Sequence, residues 1–100
     1  MNDLQLGKMY LVKDWFWLLY PTKELVKRAA GPSGSGMRGA YRDAKWYSEE
    51  YNCNVAVIEP NTCFVLLERD NYFFKLLDSN GNVGWIYSSN FSECFELVKE

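Results

Sequence analysis

The stretch that decides the fold is residues 62–98, TCFVLLERDNYFFKLLDSNGNVGWIYSSNFSECFELV. Short runs rich in aliphatic and aromatic residues follow one another here, which is typical of β-strands. Two turn sequences separate the first three runs, Arg69-Asp70-Asn71 and Ser79-Asn80-Gly81-Asn82. The pattern predicts an antiparallel meander, and its three or four short, bent strands with a Gly84-Trp85-Ile86 step predict a small closed barrel. Barrels of this size mostly bind other molecules and do not catalyse reactions.

Two glycine positions in this stretch carry specific expectations. Asn80-Gly81 lies between apolar runs and predicts a type I′ hairpin turn, which requires φ > 0 at both central residues. Gly84 lies inside a predicted strand, where a missing side chain is typical of a close approach by a neighbouring strand.

Outward from the meander, the chain reads as strands and helices of a single domain, 1–100. Its class is mainly β with helical additions (α+β). Thr22 is a good cap for the first helix, and the aromatic residues of the second predict an apolar face. The predicted elements are strands at 8–12, 15–20 and 55–58, helices at 23–30 and 40–52, and a flexible Gly-rich loop at 31–39.

Composition limits the class of protein. Apolar residues make up 48 % of the 100 residues, enough for a core without metal or disulfides. The longest apolar run, 15–20, is far shorter than a membrane span, and no signal peptide is visible. The three cysteines are odd in number and widely spaced, and histidine is absent. We therefore expect reduced thiols, no metal, no cofactor, no membrane and a cytoplasmic location.

Catalytic motifs are weak. Residues 34–39 match G-x-G-x-x-G, but a dinucleotide site needs a strand before the glycines and a helix directly after them. Here a predicted helix precedes them, so we interpret the segment as a mobile connection. Nucleophilic catalysis lacks its usual histidine base, and the neighbouring Glu49 and Glu50 point apart on a helix. We expect no enzymatic activity.

The charge distribution is uneven. The net charge of −2 disfavours nucleic acid, yet the segment 21–48 holds six basic residues against two acidic ones. Such asymmetry is typical of a surface for an anionic partner, although a solvated helix face explains it as well. The candidate nucleic-acid-binding cations are Lys23, Lys27, Arg28, Arg38, Arg42 and Lys45.

Aromatic triplets supply candidates for stacking on bases. In Trp15-Phe16-Trp17 and Tyr72-Phe73-Phe74, successive side chains point to opposite faces of a strand, so some must point outward. Outward aromatics stack on unpaired bases or on proline. Trp15 and Trp17 are the first choices, and the alternative is that helices cover the outer face and bury them.

The segment 62–98 resembles the Src-homology-three-like small barrel, and in particular the Sm and LSm proteins of that superfamily. The matching features are Val65-Leu66-Leu67-Glu68, Phe73-Phe74 before Lys75, Gly81, Gly84-Trp85-Ile86, and Phe95-Glu96-Leu97-Val98 as the closing strand. The whole chain also resembles uncharacterised marine, cyanophage-type Sm-like proteins. That likeness rests on Tyr20-Pro21-Thr22-Lys23-Glu24, on 54–60 and on 81–87.

The resemblance implies a strongly bent, five-stranded antiparallel small barrel, ring assembly and RNA binding. The second Sm motif has an Arg-Gly step between its last two strands. Asn80-Gly81 takes the nearest position here, so Asn80 is a candidate contact and the RNA-binding arginine is missing. The Asp and Asn of the first Sm motif have no clear counterpart.

These observations lead to two hypotheses. The first is a non-enzymatic nucleic-acid-binding protein, RNA favoured over single-stranded DNA. It would act as a cyclic homo-oligomer of about five to seven subunits in phage RNA or DNA processing, in the host cytoplasm if phage-encoded. The alternative is a protein–protein adaptor barrel that binds a host or phage partner. Salt-dependent binding to single strands discriminates between them.

Overall fold

The structure is a computed structural model and describes residues 4–31 and 36–99. Its main body is a five-stranded antiparallel sheet, accompanied by a two-stranded sheet and three helices. The prediction of a mainly β protein with helical additions is confirmed. The elements are β1 (Met9–Val12), β2 (Trp17–Leu19), α1 (Lys23–Ala30), α2 (Tyr41–Tyr51), β3 (Ala56–Ile58), β4 (Cys63–Asp70), β5 (Phe73–Asp78), β6 (Val83–Tyr87), α3 (Phe91–Cys94) and β7 (Phe95–Leu97).

The large sheet has the strand order β6-β5-β4-β1-β7. The meander β4-β5-β6 is therefore as predicted, and β7 returns to pair with β1. Alternate side chains of β4 and β5, such as Phe64, Leu66, Phe74 and Leu76, are buried on one face. A register shift between Leu66 and Glu68 marks a β-bulge, which bends β4. Among the described residues, no pairing joins β6 to β7, so the sheet does not close on itself.

The small sheet joins the large one at the outer edge of β6. β2 pairs with β3, and the residue after β2, Tyr20, exchanges two main-chain hydrogen bonds with Trp85, 3.0 and 2.6 Å long. Gly84 makes this approach possible, because a Cβ there would lie 2.5 Å from the carbonyl oxygen of Tyr20. The predicted close approach at Gly84 is confirmed.

The β5–β6 turn differs from the prediction. Gly81 has φ +86°, but Asn80 is not among the residues with positive φ, so the type I′ expectation is wrong. The amide of Gly81 donates to the carbonyl of Asp78, which leaves a three-residue loop that ends on a glycine. The buried Asp78 carboxylate accepts from the amides of Asn80 and Asn82 at 2.9 and 2.8 Å. These hydrogen bonds to the Asp78 side chain stabilise the three-residue loop in place of the expected two-residue turn.

The first two helices form where the sequence predicted them. The side chain of Thr22 accepts from the amide of Leu25 and caps α1, and α2 lies within the predicted 40–52. The expected aromatic face of α2 is only partly correct. Ala44 is buried, whereas Tyr41 and Trp46 point to solvent. The short helix α3 was not predicted.

The predicted flexible loop at 31–39 lies partly outside the described residues, which omit 32–35. Three of its last four residues, Gly36, Met37 and Gly39, are buried, and Arg38 is exposed. The Met37 side chain is 3 % exposed, and its carbonyl accepts from the amide of Leu18 at 2.9 Å. The Tyr20 hydroxyl donates to the carbonyl of Gly36 at 2.6 Å. The backbone of residues 36–39 therefore runs beside β2, with the Met37 side chain in the core, and this part of the segment is not a solvated tether.

Candidate nucleic-acid interface

The outer face of β5 and β6 carries a row of aromatic side chains. In both strands alternate residues point into the core, which leaves Phe73, Trp85 and Tyr87 half-buried on the opposite face. Tyr72 precedes β5, is 50 % exposed, and meets the Tyr87 ring edge-on at 6.2 Å. We call these four residues the aromatic strip.

Helix α1 places two lysines over the strip. Lys23 and Lys27 are four residues apart and so lie on the same face of the helix. The Lys23 Nζ lies 5.4 Å from the centre of the Trp85 ring, and the Lys27 Nζ lies 5.8 Å from that of Phe73. Both distances are within the range of cation–π attraction. The strip therefore combines flat apolar rings with positive charge.

Acidic residues neutralise part of this charge. Lys23 forms an ion pair with Asp70, and Lys75 pairs with Glu68 at 3.3 Å. The hydrogen bond from Lys23 holds the pKa of Asp70 below its ordinary value, and the same bond raises the pKa of Lys23. No described carboxylate lies within ion-pair distance of Lys27. Of the two lysines above the aromatic strip, Lys27 is thus the one more available to a phosphate.

A pocket of about 320 Å³ opens at the Tyr72 end of the strip. Its lining comes from the end of β4, the β4–β5 turn and the segment that follows β6, with Leu4 as an additional apolar residue. Phe74 and Phe91 are buried in the core and form its apolar floor, and Arg69 and Tyr72 line one wall. The remaining wall is polar and consists of Ser88, Ser89, Asn90, Ser92 and Glu93.

Trp15 and Arg38 lie together in a different groove of about 430 Å³. Trp15 is 56 % exposed, as the stacking hypothesis requires, but Trp17 is only 4 % exposed. The prediction that Trp17 stacks on a ligand is wrong, because β2 is covered on both faces and all three of its residues are buried. The Arg38 guanidinium lies 5.0 Å from the Trp17 ring and donates to the sulfur of Cys94 at 3.2 Å.

The other predicted cations are dispersed. The guanidinium of Arg28 lies over the Tyr51 ring at 4.8 Å, and Arg42 and Lys45 are on the exposed side of α2. The six cations therefore occupy four separate places and do not form one cluster. Lys23 and Lys27 lie over the aromatic strip, whereas Arg28 lies over a separate aromatic group in α2, where Tyr51 stacks on Tyr47.

Asn80 is an exposed residue at the tip of the β5–β6 hairpin. The resemblance to the second Sm motif predicts Asn80 in the connection between the last two strands, but in the structure Asn80 lies between β5 and β6. That connection joins β6 to β7 and consists of residues 88–94, including α3. It contains no arginine, but it forms the polar wall of the pocket.

Sequence reasoning missed Arg69 and the polar wall. The alternation in Tyr72-Phe73-Phe74 did signal an outward aromatic, and a serine-rich segment after a strand is a recognisable loop signal. The position of α1 above Phe73 and Trp85 had no sequence signal, because it depends on Tyr20 pairing with Trp85.

The described ranges also bear on metal binding and on membrane insertion. No three cysteine or carboxylate side chains there converge as metal ligands. None of the helices in those ranges has the length and apolar character that crossing a membrane requires. Comparisons with protein-family models, curated proteins and solved structures found no match to this chain.

Proposed function

We propose that this protein binds single-stranded nucleic acid, RNA favoured, and catalyses no reaction. The observation that carries the proposal is the aromatic strip beneath Lys23 and Lys27. Bases stack on aromatic side chains whatever their sequence, and lysines neutralise the adjacent phosphates. A duplex hides its base faces, so a strip of half-exposed rings suits an unpaired strand.

The proposal includes an Sm-like or Src-homology-three-like architecture. Its support is a five-stranded antiparallel sheet that is bent at a bulge in β4 and whose last strand returns to pair with β1. A ring of five to seven copies and a cytoplasmic location remain predictions. Ring assembly through the outer edge of β6 would require Tyr20 to leave Trp85, because their main chains are already hydrogen-bonded.

The experiment is fluorescence anisotropy with labelled ten-nucleotide RNA and DNA strands over a range of salt concentrations. Log affinity should fall linearly with log salt, with a slope of about −0.7 for each phosphate neutralised. Lys27→Glu should weaken binding at least tenfold. Lys8→Glu makes the same charge change on an exposed residue away from the strip, and it should have a much smaller effect.

Three outcomes decide the matter. Selective loss in Lys27→Glu supports the strip as the interface. Equal losses in both variants would show that only net charge matters and would reject the strip. Wild-type protein that binds no strand at any salt concentration would reject nucleic-acid binding in favour of the adaptor hypothesis.

A further inference from the structure

We infer that the pocket at the end of the aromatic strip holds one unstacked nucleotide of the bound strand, preferably one whose base carries an exocyclic amine. This inference rests on the proposed function. The pocket adjoins the strip at one residue, because Tyr72 lines the pocket and also meets Tyr87 on the strip. A strand that stacks along the strip would therefore deliver its next base to the pocket.

Arg69 is positioned to hold the phosphate of that nucleotide. Its Nε donates to the carbonyl of Asn71 at 3.1 Å, and its guanidinium lies 5.8 Å from the Phe74 ring. These two contacts fix the direction of the guanidinium at the pocket. None of the ion pairs in the described part of the chain involves Arg69. Its terminal nitrogens are therefore available for the bidentate contact that arginine makes with phosphate.

The pocket also has the apolar surface that a base requires. Phe74 and Phe91 form the floor, and the half-exposed Tyr72 ring stands at the entrance. The ring centres of Phe74 and Phe91 are 4.4 Å apart, so the floor is close-packed. The volume of about 320 Å³ is at the lower end of small-ligand pockets, which suits a single nucleotide better than a folded peptide segment.

The polar wall supplies hydrogen bonds for the edge of the base. Hydroxyl and amide groups both donate and accept, and the side chains of Ser89, Asn90 and Ser92 form no hydrogen bonds with other described groups. Glu93, in contrast, only accepts when it is ionised. A carboxylate pairs with an exocyclic amine of a base. Adenine, cytosine and guanine carry such an amine, and uracil and thymine do not.

The test uses the full chain and short homopolymers. Oligo(A) and oligo(C) should bind more tightly than oligo(U), and Glu93→Gln should remove most of this difference. Glu96→Gln is the matched control, since it makes the same change on an exposed residue outside the pocket, and it should keep the difference. Arg69→Ala should weaken binding of all strands by about 10- to 150-fold, the range that one hydrogen bond to a charged group gives.

A second measurement keeps the test independent of folding defects. Adenosine monophosphate titrated into isotope-labelled wild-type protein should shift the amide signals of residues 88–93 and Arg69. If Arg69→Ala and Glu93→Gln bind strands as the wild type does, while Lys27→Glu still weakens binding, the pocket proposal is overturned and the proposed function stands. Failure of wild-type protein to bind any strand would overturn both.

Discussion

At the scale of single residues, Gly84 and Gly81 are required for different physical reasons. Gly84 has an ordinary backbone conformation but no space, since a Cβ there would also lie 2.7 Å from the Leu19 side chain. Gly81 has open space around it but a φ of +86°, which side chains rarely tolerate. Gly84 therefore lets the two sheets approach each other, and Gly81 closes the β5–β6 turn.

Gly84→Ala should destabilise the protein by about 1–3 kcal/mol, as expected when a methyl group is forced into a packed site. The nearest atom is a main-chain oxygen that is itself hydrogen-bonded to Trp85, so it has little freedom to move away. Urea denaturation followed by tryptophan fluorescence measures the effect. An unfolding midpoint equal to that of the wild type would mean that Tyr20 does not pair with β6.

Gly81→Val should also cost about 1–3 kcal/mol, but through backbone strain alone. The matched control is Gly81→Asn, because asparagine adopts positive φ far more readily than a β-branched residue. Thermal denaturation should place the asparagine variant between the wild type and the valine variant. If valine and asparagine were equally harmful, the loss would come from contacts and not from φ.

Alternation along a strand predicts that neighbouring aromatics point to opposite faces, but not which face is covered. Trp15 and Trp17 show this limit. They are two positions apart, so alternation puts both on one face of a strand, and the sequence predicted both as exposed stacking residues. Trp15 is exposed, but it lies before β2 and not in it, whereas Trp17 is buried. Trp17 packs against Phe95 at 4.9 Å, a residue 78 positions later in the chain. No local pattern carries that contact, so the burial of Trp17 could not be predicted from the sequence.

At the scale of elements, residues 36–39 show how a glycine-rich segment becomes part of a core. The amide of Gly39 donates to the carbonyl of Phe16, and Trp17 and Arg38 form an isolated bridge. The segment thus runs along the side of β2 that β3 does not occupy. Composition predicted a mobile loop because glycine and serine bury little, but the single buried side chain of Met37 anchors the described end.

Met37→Ala should therefore destabilise the protein by about 2–5 kcal/mol, the usual cost of truncating a buried methionine. Met37→Leu keeps the volume and should cost less than about 1.5 kcal/mol. Chemical denaturation of both variants makes the comparison. A cost near zero for alanine would show that the segment does not pack on β2 in solution and would restore the original expectation of a free loop.

At the scale of the whole molecule, the chain has a net charge of −2. An anionic polymer would therefore be attracted only by a local group of basic side chains. Sequence spacing grouped six cations in one segment, but folding distributes them to four places, because helix α1 lies over β6 and helix α2 packs near β3. Most of the elements were predictable from local patterns, with α3 as the exception. Their mutual arrangement was not, since it depends on contacts between residues far apart in the chain.

This arrangement makes Asp70 an internal competitor for the bound strand. Its carboxylate pairs with Lys23, which is one of the two lysines above the aromatic strip. The pKa of Asp70 lies below its ordinary value of 3.8, so the carboxylate stays ionised at any pH used for binding. The small stabilisation from this exposed pair is present above that ordinary pKa and is lost as the pH falls through the lowered pKa of the folded protein.

Asp70→Asn should consequently tighten binding to single strands while it removes the ion pair. The variant frees the Lys23 ammonium for a phosphate, so the slope of log affinity against log salt should become steeper by about 0.7, one additional phosphate contact. Glu96→Gln removes one negative charge elsewhere on the surface and controls for net charge, and it should leave the slope unchanged. An Asp70→Asn slope equal to that of the wild type would mean that Lys23 does not contact the strand. Phosphate binding would then depend on Lys27 and Arg69 alone.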